Sequence, residues 1–366
     1  VPPAGLADVA SPYELRPVPD GAGDRWESFV ADHPAATVFH SRAWLAALRD
    51  AFAYDPASHL LYETGGTQPV GAIPAVSIPG LGGRTVVNPF CEYGFPLLAE
   101  SVDPAPALRA LAADVGPFGA RVIKDAAWRG PEGYHAAGYG AVETGEVIRL
   151  DTDRSFEAVR STSFTSEARR CVRSARDQGL TVRPGSVTEY YPLYLETMRR
   201  LGSPQFPESF FLDLAVELGD DLVVFVAEES SAGDAIAGGS HDSEPVGGVL
   251  ALDFGGTRTI WSNASRIDAW DRHPNHLLYA SAIRDACETD IQIVDFGRSR
   301  PGSGVHGFKR EFGGQTSSLA SFVIPPHRAG RASLAGYGKV AAVARRLAPA
   351  ITNPAVGPRL KRYIHE

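Results

Sequence analysis

The run Leu222–Glu228, LVVFVAE, is apolar on both faces of any strand it forms. Such a strand must lie inside a sheet covered on both sides, since a sheet with one wet face requires alternation of apolar and polar residues. Other strand-length runs stand around it. Val246–Phe254 and Arg258–Asn263 flank the turn GGT, Ile291–Phe296 follows a helical stretch at Pro274–Thr289, and Leu319–Ile324 follows a short one at Val305–Phe312. Three meandering strands followed by alternation predict an α/β fold: a mixed central sheet flanked by helices. Upstream, Phe39–Phe52 has helical spacing through Trp44, Leu45, Leu48 and Phe52, and His59–Glu63 and Val70–Ile78 read as strands around GGTQ. A helix is expected at Pro104–Val115, with strands at Arg121–Ala126 and Glu146–Asp151. Further helices are expected at Ser155–Arg160, Thr165–Gln178, Tyr190–Leu201 and Glu208–Leu218, and Glu229–Ser243 reads as a long hairpin loop.

The chain has 366 residues, too many for one small core, and divides near residue 152. The expected organisation is a flexible lead-in over 1–20, a first unit over 21–152, a second over 153–327 and a basic tail over 328–366. From Arg328 onward the tail carries eight basic residues and one acidic residue, with short helices expected at Tyr337–Leu347 and Pro358–Ile364. It either packs on the body or touches an anionic membrane surface from the inner side. A net charge of −8 argues against DNA binding, while leaving room for a local basic groove. No apolar run reaches the roughly 18 residues of a membrane span, and the N-terminus does not read as a signal peptide, so a cytoplasmic location is expected. Cys91, Cys171 and Cys287 are scattered singly and offer no metal spacing. The His273-Pro-Asn-His276 pair reads as a helix N-terminal turn, and no metal is expected.

The chemistry is expected in Asp295–Gly314, DFGRSRPGSGVHGFKREFGG. In an open α/β sheet, ligands bind at the carboxyl ends of strands, and the strand here is expected to end at Asp295. Gly297, Gly302, Gly304 and Gly307 allow close approach to a ligand, and Arg298, Arg300, Lys309 and Arg310 supply positive charge. Lysine is rare in this chain, with Lys124, Lys309, Lys339 and Lys361 the full set. The segment is no P-loop, because Phe308 stands where the lysine belongs and no Ser or Thr follows Lys309. Asp295 is either a general base or a cap for the loop, and His306 reads as a local hydrogen-bonding residue. Arg169, Arg170, Arg173 and Arg176 crowd one helix, as a solvated face or as a clamp for an anion.

The run D-F-G-R-S, a glycine-containing loop and G-F-K-R-E-F-G-G resemble the C-terminal signature of FemAB-like acyltransferases, relatives of the GNAT N-acetyltransferases. FHSRAWLAAL, SEARRCVRSARDQGLTV, YLETMRRLGSPQFPESFF and WSNASRIDAWDRHPNHLLYASAIRDAC resemble further family blocks in the same order. The resemblance covers roughly residues 36 to 325. It implies two tandem GNAT-like domains with substrate held between them, and transfer of an acyl or aminoacyl group onto an amine of a cell-envelope or surface-glycan precursor. Phe308 and Lys309 match the pair that lines the donor channel, the lysine steadying negative charge. With Asp295 they form the expected catalytic set. Arg298, Ser299, Gly304, Gly307, Arg169 and Arg173 are expected on the donor, and Tyr93, Arg200 and Trp261 on the acceptor. No tightly bound cofactor is expected. The donor is a co-substrate, either aminoacyl-tRNA or an acyl-CoA or acyl carrier. GNAT enzymes hold the CoA pyrophosphate with R/Q-x-x-G-x-G/A, whereas SRIDAWDRHPNHLL has no glycine, which favours a tRNA-type donor. An acyl-CoA-dependent N-acetyltransferase and a non-catalytic subunit of a surface-polysaccharide assembly system are the alternatives.

Overall fold

The computed structural model describes residues 11–18, 23–80, 83–116, 118–126, 131–230, 244–331 and 352–363. In chain order, β1 (Tyr13–Pro17), α1 (Gly23–Asp32), α2 (Arg42–Phe52), β2 (Asp55–Pro56), β3 (His59–Glu63), β4 (Pro69–Ile73), β5 (Val76–Gly80), β6 (Gly83–Val87) and β7 (Leu97–Leu98) come first. They lead to α3 (Pro104–Asp114), β8 (Ala120–Ala126), α4 (Glu132–Ala136) and β9 (Gly140–Asp151). The second half holds α5 (Phe156–Thr162), α6 (Ser166–Asp177), β10 (Leu180–Pro184), α7 (Val187–Leu201), α8 (Glu208–Leu218), β11 (Leu222–Glu229), β12 (Gly247–Phe254) and β13 (Thr257–Ser265). It continues through α9 (Pro274–Glu288), β14 (Ile293–Ser299), α10 (Gly304–Arg310) and β15 (Gln315–Ile324) to α11 (Gly357–Lys361).

Eleven strands form one sheet in the order β10-β11-β12-β13-β14-β9-β15-β8-β6-β5-β2, and β1-β3-β4-β7 form a second, four-stranded sheet. The apolar run LVVFVAE is β11, inside the large sheet between β10 and β12, with Val224 to Ala227 buried. That sheet is continuous across residue 152, because β15 from the second half inserts between β8 and β9 of the first. The halves also share a core: Trp44 on α2 packs edge-on against Phe210 on α8 and Trp261 on β13, with centroids 5.8 and 5.6 Å apart. Trp44 and Phe210 are fully buried, and burial of an aromatic side chain contributes about 1.5–3 kcal/mol through area alone. Arg258 fixes α9 to the sheet. Its guanidinium donates to both Asp253 oxygens (2.9 and 2.7 Å) across the β12–β13 turn and to Asp285 (2.6 Å) on the helix.

Several expectations change. Val70–Ile78 is two strands in different sheets, β4 and β5, parted at Pro74, which has no N–H to donate. Tyr13–Pro17, expected within a flexible lead-in, pairs antiparallel with β3. Neither β6 nor β10 was anticipated, and β14 runs past Asp295 to Ser299. Residues 1–10, residues 231–243 of the expected loop Glu229–Ser243, and the expected helix Tyr337–Leu347 lie outside the described residues. The end of the tail packs on the body: the Tyr54 hydroxyl donates to the Arg362 carbonyl (2.6 Å), Gln205 Nε2 donates to the Thr352 carbonyl (3.1 Å), and the Lys361 ammonium lies over Phe206 at 4.5 Å.

Gly313 and Gly314 carry the chain from α10 into β15 with φ of +84° and +102°. A Cβ on Gly314 would stand 2.7 Å from the Arg149 carbonyl oxygen, which is backbone and cannot rotate away. Gly314→Ala is expected to cost about 2 kcal/mol, read as a lower urea midpoint at unchanged slope. A wild-type midpoint would show that this turn is not fixed by its neighbours.

Candidate active site

The site begins with a fork in the sheet. β13 and β14 are parallel and pair only at Thr257 with Ile293, Arg258 with Val294 and Thr259 with Asp295. Beyond Asp295, β14 bulges and leans onto β9, where Arg298 pairs with Val147. The bulge centres on Gly297, whose φ of +67° favours glycine. A Cβ there would meet Glu92 Oε1 at 3.1 Å and the Ile260 carbonyl at 3.3 Å.

The loop Asn88–Pro96, NPFCEYGFP, enters this fork. The Arg298 N–H donates to Glu92 Oε1 (3.2 Å), the Tyr93 hydroxyl to Asp295 Oδ2 (2.5 Å) and the Trp261 indole N–H to the Phe90 carbonyl (3.2 Å). From behind, the Lys124 ammonium donates to the Cys91 carbonyl (3.2 Å), and Asn88 is held between the Trp44 indole N–H (2.8 Å) and the Phe39 carbonyl (2.8 Å). A loop of the first half is thereby bonded on both sides, as buried polar backbone requires.

Lys309 reaches the fork from α10, which starts at the Ser303 cap. Its ammonium donates to the carbonyls of Gly297 (3.1 Å) and Arg298 (2.9 Å), and the residue is 6% exposed. Those two bonds leave one of three N–H groups for a ligand oxygen. Burial lowers the Lys309 pKa to about 8, opposed by Glu92 and Asp295 and assisted by Arg298. Asp295 is fully buried, and that burial raises its carboxyl above the usual range against the bonds from Tyr93 and the Gly297 N–H (2.8 Å) and the attraction of Arg149. The Tyr93 phenol is pushed well up, by burial first and Asp295 second. With one oxygen on Tyr93 and the other on Gly297, Asp295 has the bonding of a residue that holds the bulge and loop together.

The expected residues fall into groups. Lys309, Asp295, Arg298, Tyr93 and Trp261 converge on the fork. Ser299 and His306 are bonded to each other (3.1 Å) just behind it, with His306 Nε2 3.4 Å from Glu146. Phe308 turns toward α9, against His276 and Tyr279. Gly304 and Gly307 are exposed, and a Cβ on either would meet nothing within 4 Å, so their backbone is open to approach. Arg169 points into its own helix pair, donating to the carbonyls of Arg160 and Phe164, while Arg173 is exposed. Arg200 stacks over Trp270 at 4.6 Å. Sequence reasoning missed Glu92 and Arg149; the only hint of Glu92 was a lone acid in an aromatic loop. Outside the fork, Cys171, His273 and His276 bring metal-ligating atoms together.

Residues 162–310 match the family model of the acetyltransferase (GNAT) domain. No curated protein matches the sequence. Among solved structures, FemX is similar with a TM-score of 0.63 at 15% identity, covering 84% of this chain and 96% of FemX. The C-terminal domain of a putative lysylphosphatidylglycerol synthetase from Agrobacterium fabrum is similar with a TM-score of 0.53 at 13% identity, covering 84% of this chain and 93% of that domain. L-PGS from Bacillus licheniformis gives 0.50 at 13%, covering 86% and 98%. At these identities the likeness is one of fold, and the domain match lies over the fork and its lysine. No helix among the described residues is long and apolar enough to cross a membrane. Residues 162–310 thus carry a GNAT-type acetyltransferase domain, on a fold that the chain shares with FemX.

Proposed function

We propose that the chain transfers an acyl or aminoacyl group from a thioester or ester donor to an amine of a cell-envelope or surface-glycan precursor. The observation that carries this is the Lys309 ammonium, buried at the fork on two carbonyls with one N–H left for an oxyanion. A neutral amine attacks the donor carbonyl carbon, the C–N bond forms, and collapse of the intermediate breaks the bond to sulfur or oxygen. The amine proton passes to the leaving group through solvent. Positive charge fixed in a low-dielectric site stabilises the oxyanion without reorganising. Positioning of donor and acceptor supplies most of the rest, with no covalent enzyme intermediate.

The start of α9 supports an aminoacyl donor over acyl-CoA. His273 is its N-cap, Pro274 contributes no N–H, and the amides of His273 and His276 bond to the carbonyls of Trp270 (3.0 Å) and His273 (3.1 Å). Few free amides remain there for a pyrophosphate. One fold neighbour is named as a domain of a putative lysylphosphatidylglycerol synthetase, whose product is aminoacyl, which agrees with this reading. Arg173 and Arg176 offer basic surface for a tRNA donor despite the net charge of −8.

Lys309→Met is expected to lower transfer at least about 100-fold while preserving the circular dichroism spectrum; near-normal turnover would remove Lys309 from catalysis. The charged lysine is the active form, so kcat should fall as pH rises through about 8. Stability moves the other way. The folded-state pKa is depressed, so the cost of burying the charge is fully present below about 8 and is relieved as pH rises toward the unfolded lysine value. A kcat that climbs through this range would instead make Lys309 a base. Calorimetric titration with acetyl-CoA is expected to be silent, and micromolar binding would favour the acyl-CoA donor.

A further inference from the structure

Away from the fork, α6 and the start of α9 gather a second set of reactive side chains. Cys171 is buried on the inner face of α6, His273 is the N-cap of α9, and His276 lies one turn further on. Their ligand atoms all lie within 4.8 Å of one another. A tetrahedral zinc ion with bonds of about 2.0 Å to nitrogen and 2.3 Å to sulfur holds nitrogen and sulfur ligand atoms roughly 3.3–3.5 Å apart. Closing that gap takes a contraction of at most about 1.5 Å, within the reach of side-chain torsions.

Two carboxylates border the cluster. Glu311 Oε2 is 3.1 Å from His276 Nε2, and Glu167 Oε1 is 3.5 Å from Cys171 Sγ. Glu167 is already clamped by Arg170, at 3.0 and 2.5 Å, and its side chain is 54% exposed against 30% for Glu311. Neither carboxylate joins the group of mutually close ligand atoms, and Glu311 instead orients the His276 ring. His273 also holds a left-handed backbone, φ 59° and ψ 42°, which a non-glycine residue adopts at a cost. That conformation brings its ring beside His276, centroids 5.6 Å apart.

We propose that Cys171, His273 and His276 form a binding site for a divalent transition metal of the zinc type. One thiolate and two imidazoles are a zinc-like donor set, with water completing the tetrahedron. The ion pins α6 to α9, and through His276, whose ring packs 4.9 Å from Phe308, it stiffens the wall beside Lys309. Binding displaces the Cys171 proton, so affinity rises with pH.

The test is titration of the full chain, pretreated with chelator, with cobalt(II) and then zinc(II). The expected result is uptake of one equivalent of cobalt with a thiolate-to-cobalt charge-transfer band and tetrahedral d–d bands, bleached by zinc, and a higher melting temperature with zinc. Cys171→Ser should abolish the charge-transfer band. His273→Asn, which tolerates the left-handed backbone, should weaken cobalt binding at least about tenfold. Cys287→Ser should leave both unchanged. Circular dichroism checks folding, and if Cys171→Ser does not fold, His273→Asn decides. Failure of the folded wild type to take up stoichiometric cobalt, or a His273→Asn variant that binds cobalt as tightly as wild type, overturns the proposal.

Discussion

Two parallel strands that share three residue pairs leave a fork open in the sheet, and the loop Asn88–Pro96 fills it. Everything at the site follows from that insertion. Glu92 accepts from the Arg298 N–H, the Tyr93 hydroxyl donates to Asp295, and the Phe90 carbonyl accepts from the Trp261 indole, so strands that part in one half are bridged by a loop of the other. Because β15 and β9 carry the sheet across the two halves, the loop and the fork hold a fixed relation to each other. A site shared in this way does not form when either half folds alone.

The same insertion sets the electrostatics. Bringing an ammonium into a site 6% exposed is costly, and two carbonyl acceptors with Glu92 and Asp295 nearby offset only part of that cost. The net effect is a lysine shifted down into the range where its protonation responds to ordinary pH. Asp295 is shifted up by the same burial, and it is held by Tyr93 and the Gly297 N–H. Two groups of opposite charge are thus both pushed toward neutrality, the kind of perturbation that a reacting site would use.

Much of this was legible in the sequence, for physical reasons. An apolar run such as LVVFVAE has one stable environment, and β11 lies in it. The segment from Asp295 to Gly314 drew attention through its glycines and its rare lysine, and Lys309 lies at the fork. The glycines proved to be of two kinds: Gly297 is required by backbone conformation and close contact, while Gly304 and Gly307 have open space around them. What sequence could not show was long-range pairing. Glu92 and Arg149 become part of the site only because distant strands meet there. Cys171 likewise joins the two histidines only because α6 packs against α9. The division of Val70–Ile78 between two sheets was missed because apolar periodicity outweighed a proline that should have been read as a break.

The central claim is that Lys309 is a buried ammonium whose titration is governed by the fork. With only Lys124, Lys309, Lys339 and Lys361 in the chain, selective ¹³Cε labelling of lysine gives a spectrum simple enough to follow each side chain through pH, with Lys309→Met supplying the assignment. Lys309 is expected to titrate near pH 8, and lower still in Glu92→Gln, which removes an attraction that now supports the charged form. A Lys309 resonance that titrates at the ordinary lysine value, unmoved by Glu92→Gln, would contradict it.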